Sequence, residues 1–168
     1  MADKPAAHVI RSWVRLMKAQ HLVFASIERA LKAAGLPPLV WYDVLLEVER
    51  AGAPGIRPFA LERAMLLAQY NLSRLLDRIE GDGYIERRAC ADDGRGRVVH
   101  ITESGKSVRR KMWPVYARAI EASVGQHLNI REVTCLDDIL GKLIEKLTSP
   151  GQRKSLNHGQ LQEVTHAH

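Results

Sequence analysis

The sequence is poor in cysteine: Cys90 and Cys135 are the only two among 168 residues. They stand far apart and neither belongs to a C-x-x-C pair, which excludes a disulfide framework and a thiolate zinc site. No run of about 18 apolar residues occurs, so no spanning helix and no membrane partner is expected. The first residues, MADKPAAHVIRSW, carry charge but no apolar core of a signal peptide, and a cytoplasmic location is expected. There is no glycine-rich phosphate loop, no H-E-x-x-H, and no nucleophile with a matched base in a recognisable frame. Aromatic residues make up 5%, with two phenylalanines, and no cofactor box is evident. The expectation is therefore a chain with no catalytic residues, no metal and no cofactor. The histidines of the tail, His158, His166 and His168, lack ligand spacing. Acidic charge is also short, leaving a formal net charge of +6, a mild preference for an anionic partner. That excess is not a basic tract. From Gln69 to His100 there are six Lys/Arg and six Asp/Glu, so anion binding there must rest on individually placed arginines.

What is present is helical periodicity. Val9, Trp13, Leu16, Gln20, Val23, Ile27 and Leu31 recur at spacings of three and four, a long amphipathic helix ended by Gly35 and Pro37-Pro38. A second helix is expected from Leu39 to Arg50, with Val40, Val44, Leu45 and Val48 inward. AGAPG reads as a loop, and Pro58 opens a short helix to about Met65. In AQYNLSRLLDRIEGDGYI, Leu72, Leu75, Leu76 and Ile79 share one helix face, and Gly81 and Gly83 end it. Two strands follow, Ile85 to Cys90 and Arg97 to Ile101, joined across a D-D-G turn signal. Thr102 is an N-cap candidate for a helix running to about His127, with Val108, Met112, Val115, Ala119 and Ala122 as its stripe and Pro114 breaking its hydrogen bonding. Val133, Leu136, Leu140, Leu143 and Leu147 mark a last helix with a coiled-coil-like seam. The tail from Ser149 is polar and is expected to be poorly ordered.

Two short helices joined by a turn and followed by a hairpin make a winged helix-turn-helix. The expected fold class is mainly α with a small β-hairpin wing. Its parts are an N-terminal helix (1–35), the winged lobe (36–102), C-terminal helices (103–147) and the tail (148–168). The arrangement suits double-stranded DNA. The major groove admits one helix, whose Gln, Asn and Arg side chains match base-edge donors and acceptors. Gln69, Tyr70, Asn71, Ser73, Arg74 and Arg78 lie off the apolar face of the second helix and are the candidates there. In ADDGRGRV, Arg95 and Arg97 are candidates for a minor groove or phosphates, and Asp93, Gly94 and Gly96 shape the wing. Lys106 opens the basic stretch GKSVRRKM and is a candidate phosphate contact.

These motifs resemble the MarR family of bacterial transcriptional regulators. The family's recognition helix runs D-R-L-E-x-x-G-L/Y-I/V-x-R-R, matched here by Asp77, Arg78, Ile79, Glu80, Gly83, Tyr84, Ile85, Arg87 and Arg88. Its D-x-R wing is matched by Asp93 and Arg95, and its L-T-x-x-G entry to the fifth helix by Ile101, Thr102 and Gly105. The helix order extends the resemblance to about Val9–Leu147. It implies a homodimer formed by the first, fifth and sixth helices, a pseudo-palindromic operator, repression, and a small-molecule or oxidant signal. Two positions depart from the pattern. Ala68 stands where a serine often caps the recognition helix, which costs about 1 kcal/mol, and Gly94 stands where a second wing arginine is common.

Each signal has a plainer reading. Arg95 and Arg97 fit a solvated hairpin, and Arg74 and Arg78 fit surface pairs with Asp77 and Glu80. Of Arg87 and Arg88, which alternate on a strand, at least one is expected to be structural. GKSVRRKM fits a solvated face. Trp13, Met17, His21, Trp41 and Tyr42 are candidates for an effector pocket, against the commoner reading of aromatics at helical spacing as core. Two rival functions stay open: a cysteine-based redox regulator of the same fold acting through Cys90, and a helical protein-interaction module whose wing meets an acidic partner.

Overall fold

A computed structural model describes residues 4–65, 71–89 and 96–147. Among the described residues, six α-helices and one hairpin follow in the order α1 (Ala7–Ala33), α2 (Leu39–Ala51), α3 (Pro58–Ala64), α4 (Leu72–Gly81), β1 (Ile85–Ala89), β2 (Arg97–Ile101), α5 (Glu103–Ser123) and α6 (Ile130–Leu147). A single 3₁₀ turn, Gly125–His127, separates the last two helices.

Helix α2 is the axis of the fold. Its residues Val40, Val44, Leu45 and Val48 enter one core, with Leu61 and Met65 of the α3 region, Leu75, Leu76 and Ile79 of α4, and Ile85 and Val99 of the hairpin. Its residues Leu39, Tyr42 and Leu46 enter a second core with Ile27 and Leu31 of α1 and Met112 and Ala119 of α5. A helix that is apolar around its circumference is buried on every side, and nine of the thirteen residues of α2 are buried. Two of these are acidic, Asp43 and Glu47, and Glu47 accepts from Arg50 at 2.7 Å.

The strands pair antiparallel from Ile85 opposite Ile101 to Ala89 opposite Arg97. The AGAPG segment is more than the loop its composition suggests. Just after it, Ile56 forms a one-residue bridge to Val99, with reciprocal backbone hydrogen bonds of 3.0 and 2.9 Å. This third edge anchors the hairpin to the α2–α3 connection.

Helix α4 ends in a Schellman turn. The Tyr84 N–H donates to the Ile79 carbonyl and the Gly83 N–H to that of Glu80, with Gly83 at φ +76°. That left-handed conformation admits glycine without the penalty a Cβ would incur. Thr102 caps α5 as its sequence suggests, its Oγ1 accepting from the Gly105 N–H at 3.0 Å. Pro114 lies inside α5 at an exposed position, where water can serve the carbonyl it leaves without a donor. The α5 stripe drifts from the expected one. Ala122 is exposed, and the second core takes Trp113, Tyr116 and Ile120 instead.

Both ends of the described chain leave apolar faces open. Val9, Ile10, Trp13, Val14 and Met17 of α1 are exposed. Helix α6 buries none of its residues, although it carries Leu136, Ile139, Leu143, Ile144 and Leu147.

Candidate nucleic-acid interface

Helices α3 and α4, with the hairpin behind them, form the helix-turn-helix and wing. Leu75, Leu76 and Ile79 bury one face of α4. The opposite face exposes Ser73, Arg74, Asp77 and Arg78, and Arg74, Asp77 and Arg78 adjoin at spacings of three and four.

The start of this helix differs from the expectation. It begins at Leu72 with Asn71 as its N-cap, the Asn71 Oδ1 accepting from the Arg74 N–H at 3.2 Å. The capping function sought at Ala68 is thus filled at Asn71, whose Oδ1 is engaged by the helix while the residue stays exposed. Ala68, Gln69 and Tyr70 lie outside the described residues, as do Cys90, Asp93, Gly94 and Arg95. Gly96 and the exposed Arg97 are described at the start of β2.

The charges of α4 are sorted by Arg87. Its side chain, only 17% exposed, lies between two carboxylates of α4. Nη2 reaches Asp77 Oδ1 at 2.5 Å, Nε donates to Glu80 Oε2 at 2.7 Å, and the Arg87 backbone N–H donates to Glu80 Oε1 at 2.8 Å. The hydrogen bond from Arg87 holds the Glu80 carboxyl below its ordinary value, against desolvation, with a smaller contribution from the charge of Arg97. Asp77 and Glu80 therefore pair with Arg87, not with Arg74 or Arg78. Among the described residues neither Arg74 nor Arg78 makes a side-chain ion pair. Arg88, on the outer face of the strand, pairs with Glu86, both well exposed. Alternation along the strand announces one structural arginine, and Arg87 is that one.

Lys106 is not a free cation. Its Nζ lies 2.7 Å from Glu103 Oε1, and the Glu103 carboxyl is held below its ordinary value chiefly by that hydrogen bond. The pair is solvent-exposed and contributes little to stability.

The joint behind the wing is tight. Thr102 donates its N–H to the Tyr84 carbonyl at 3.1 Å and its hydroxyl to the Gly83 carbonyl at 2.7 Å. A Cβ on Gly105 would stand 2.1 Å from the Tyr84 carbonyl oxygen. The T-x-x-G spacing thus has a physical cause: it lets the first turn of α5 lie directly on the backbone between α4 and β1. Sequence pattern marks these residues, but the close approach is a tertiary fact with no local signal.

The candidate effector pocket is not assembled in the single chain. Trp41 and Tyr42, neighbours in sequence, face different cores. Trp41 packs edge-on to Tyr84 at 6.0 Å between ring centroids, on the winged core. Tyr42, 4% exposed, stacks on Trp113 at 6.1 Å and meets Tyr116 edge-on at 5.3 Å, in the second core. Burial and the charge of Asp43 raise the Tyr116 phenol above its ordinary value. Arg109 of α5 lies 5.9 Å over the Tyr42 ring and bonds Glu49 of α2. Trp13, 59% exposed, Met17 and His21 lie on the open half of α1, before the segment that enters the second core. These five residues are two core aromatics and three surface positions.

The architecture is that of a winged helix-turn-helix protein, with the recognition helix and wing presenting arginine. Comparison with known proteins agrees. Residues 34–96 match the model of the MarR family. The chain is 26% identical over 146 residues to the transcriptional activatory protein BadR of Rhodopseudomonas palustris, covering 87% of this chain and 83% of that protein. It is 27% identical over 131 residues to the transcriptional repressor MprA of Escherichia coli K12, covering 78% and 73%. Its fold matches that of Sco3205, a MarR family transcriptional regulator from Streptomyces coelicolor solved in complex with DNA. The TM-score is 0.76 at 23% identity, over 88% of this chain and 96% of that one. Over the helix-turn-helix and wing the chain is thus similar to the MarR family, and its fold is that of solved MarR-type winged-helix proteins.

Proposed function

We propose that the protein acts as a homodimer on double-stranded DNA, binds a pseudo-palindromic operator, represses by occupying it, and is released by a small-molecule effector. The observation that carries the DNA reading is the sorted charge of α4. Arg74 and Arg78 face solvent without ion-pair partners among the described residues, while the carboxylates beside them are occupied by Arg87. A helix docked in the major groove offers such arginines to guanine O6 and N7 or to phosphates. The wing, through Arg97 and Arg95, then tracks the adjacent backbone or minor groove, and Lys106 exchanges Glu103 for a phosphate.

Dimerisation is supported by the open apolar faces of α1 and α6, since exposed apolar residues grouped on one face mark interaction surfaces. On this reading 1–35 and 103–147 form the dimer stem and the 36–102 lobe reads DNA. Effector control is supported by the sharing of α2 between two cores. A ligand that displaced α2 against α5 would tilt the lobe relative to the stem and change the spacing of two recognition helices. Repression rests on occlusion alone, and the names of BadR and MprA show both signs among relatives.

Titration of duplex DNA from the region flanking the gene, over a salt series, tests the reading. Binding through phosphates falls steeply with salt, in proportion to the charges neutralised. Saturable binding to that duplex at two chains per site, much tighter than to a scrambled duplex, is the expected result. Binding to an acidic protein but not to duplex would replace this reading with that of an interaction module.

A further inference from the structure

Arg87 is the one residue of the wing strands whose guanidinium is turned inward onto the recognition helix. Its position is informative because of what it covers. Asp77 lies on the exposed face of α4, three residues after Arg74 and one before Arg78, with its side chain 57% exposed. A carboxylate there repels phosphate, and it is within i,i+3 reach of the Arg74 guanidinium. Glu80 follows three residues on, with both its oxygens taken by Arg87. The three groups sum to a charge of −1, and Arg97 contributes a further positive field at Glu80.

We propose that Arg87 is a positioning residue for DNA binding that does not itself touch DNA: it draws Asp77 and Glu80 away from the duplex and from Arg74. The proposal rests on α4 being the DNA-reading helix. Three features separate this from a simple surface pair. The guanidinium is largely buried, it engages two carboxylates from successive turns of one helix, and its own backbone N–H completes the grip on Glu80. Arg88, one residue on, has none of these features and serves as the internal comparison.

The mechanism makes a prediction that a phosphate contact cannot share. In Arg87→Gln the two carboxylates are uncovered. Operator affinity falls by roughly tenfold per half-site, because like charge at an interface is strongly unfavourable. Once the carboxylates are neutralised, Arg87 has nothing to cover and its loss no longer matters to DNA.

The experiment is a double-mutant cycle read by fluorescence anisotropy on operator duplex, with thermal melting of each protein recorded without DNA. The proteins are the parent, R87Q, D77N/E80Q, the triple variant, and R88Q. Expected are a large loss for R87Q, an affinity at or above the parent's for D77N/E80Q, and a triple variant close to D77N/E80Q. The melting temperature of the triple variant stays below the parent's, which separates restored binding from restored folding. If R87Q is too unstable to assay, the comparison of D77N/E80Q with the triple variant carries the same test. A loss on adding R87Q that is equally large in both backgrounds makes Arg87 a direct contact and overturns the proposal. Affinity that follows melting temperature across the set makes the clamp purely structural and also overturns it. A parent that binds no duplex overturns the DNA reading itself, and this proposal with it, an outcome distinct from the other two.

Discussion

Substituting Gly105 by alanine tests the joint between wing and stem. In an ordinary helix this change stabilises by about 1 kcal/mol, because alanine restricts the unfolded chain. Here the new methyl would sit 2.1 Å from the Tyr84 carbonyl oxygen and 2.9 Å from Ile101 Cγ1. The first of these is backbone, held in place by the Thr102 N–H at 3.1 Å, and so cannot rotate away. Relief requires the start of α5 to part from the α4–β1 turn by about 1 Å, with loss of that hydrogen bond. Overpacking costs about 1 to 3 kcal/mol, and a rigid backbone opponent places this case at the upper end. Subtracting the helix gain leaves about 2 kcal/mol net. For a chain of this size that lowers the melting temperature by about 4 to 8 °C, read at fixed protein concentration because oligomers melt concentration-dependently. Gly81→Ala is the control, since nothing lies within 4 Å of its added methyl, and it should be neutral or slightly stabilising. A Gly105→Ala protein that melts with the parent would show that the T-x-x-G contact does not couple α5 to the wing.

Three further outcomes follow from the structure. Asn71→Ala should cost about 1 kcal/mol of stability by leaving the first turn of α4 uncapped, and Asn71→Asp should restore it; both are read by thermal melting. Glu80, its carboxyl held below its ordinary value by the hydrogen bond from Arg87, contributes stability that is present above the ordinary carboxylate range and lost as pH falls through its folded value. The melting difference between parent and Glu80→Gln should therefore be constant above about pH 5.5 and shrink progressively below pH 4.5; a constant difference down to pH 3 would sever that linkage. Removing residues 130–147 should abolish the dimer, or the fold with it, by sedimentation velocity; a truncated chain that remains a dimer of parental stability would place the interface elsewhere.

Much of the fold is legible in the sequence because helices with one apolar stripe, and strands with alternating burial, write their faces into residue spacing. The inward residues of α2 and α4 and the two strands near Ile85 and Ile101 follow from that rule, and the Thr102 cap follows from its side-chain type at a helix start. What is not legible depends on contacts between distant segments. The Ile56–Val99 bridge is one residue long and has no period. Adjacent aromatics Trp41 and Tyr42 look like a cluster, yet α2 packs against two cores and the rings enter different ones, which depends on where α4 and α5 lie. Alternation shows that Arg87 and Arg88 point oppositely, but only the placement of α4 decides which one meets Asp77 and Glu80. The helix start moved from Ala68 to Asn71 because capping depends on where the chain turns, which side-chain type alone does not specify.

On the proposed function, the exposed face of α4 reads DNA sequence. The most direct measurement is the affinity of parent and Arg74→Ala for operator duplexes carrying each base substitution in one half-site. Arg74→Ala should lose about 1 to 3 kcal/mol per half-site on operator, with discrimination relaxed at one base position. Equal weakening on every duplex would make Arg74 a phosphate contact, and unchanged affinity on all of them would contradict the assignment of α4 as the recognition helix.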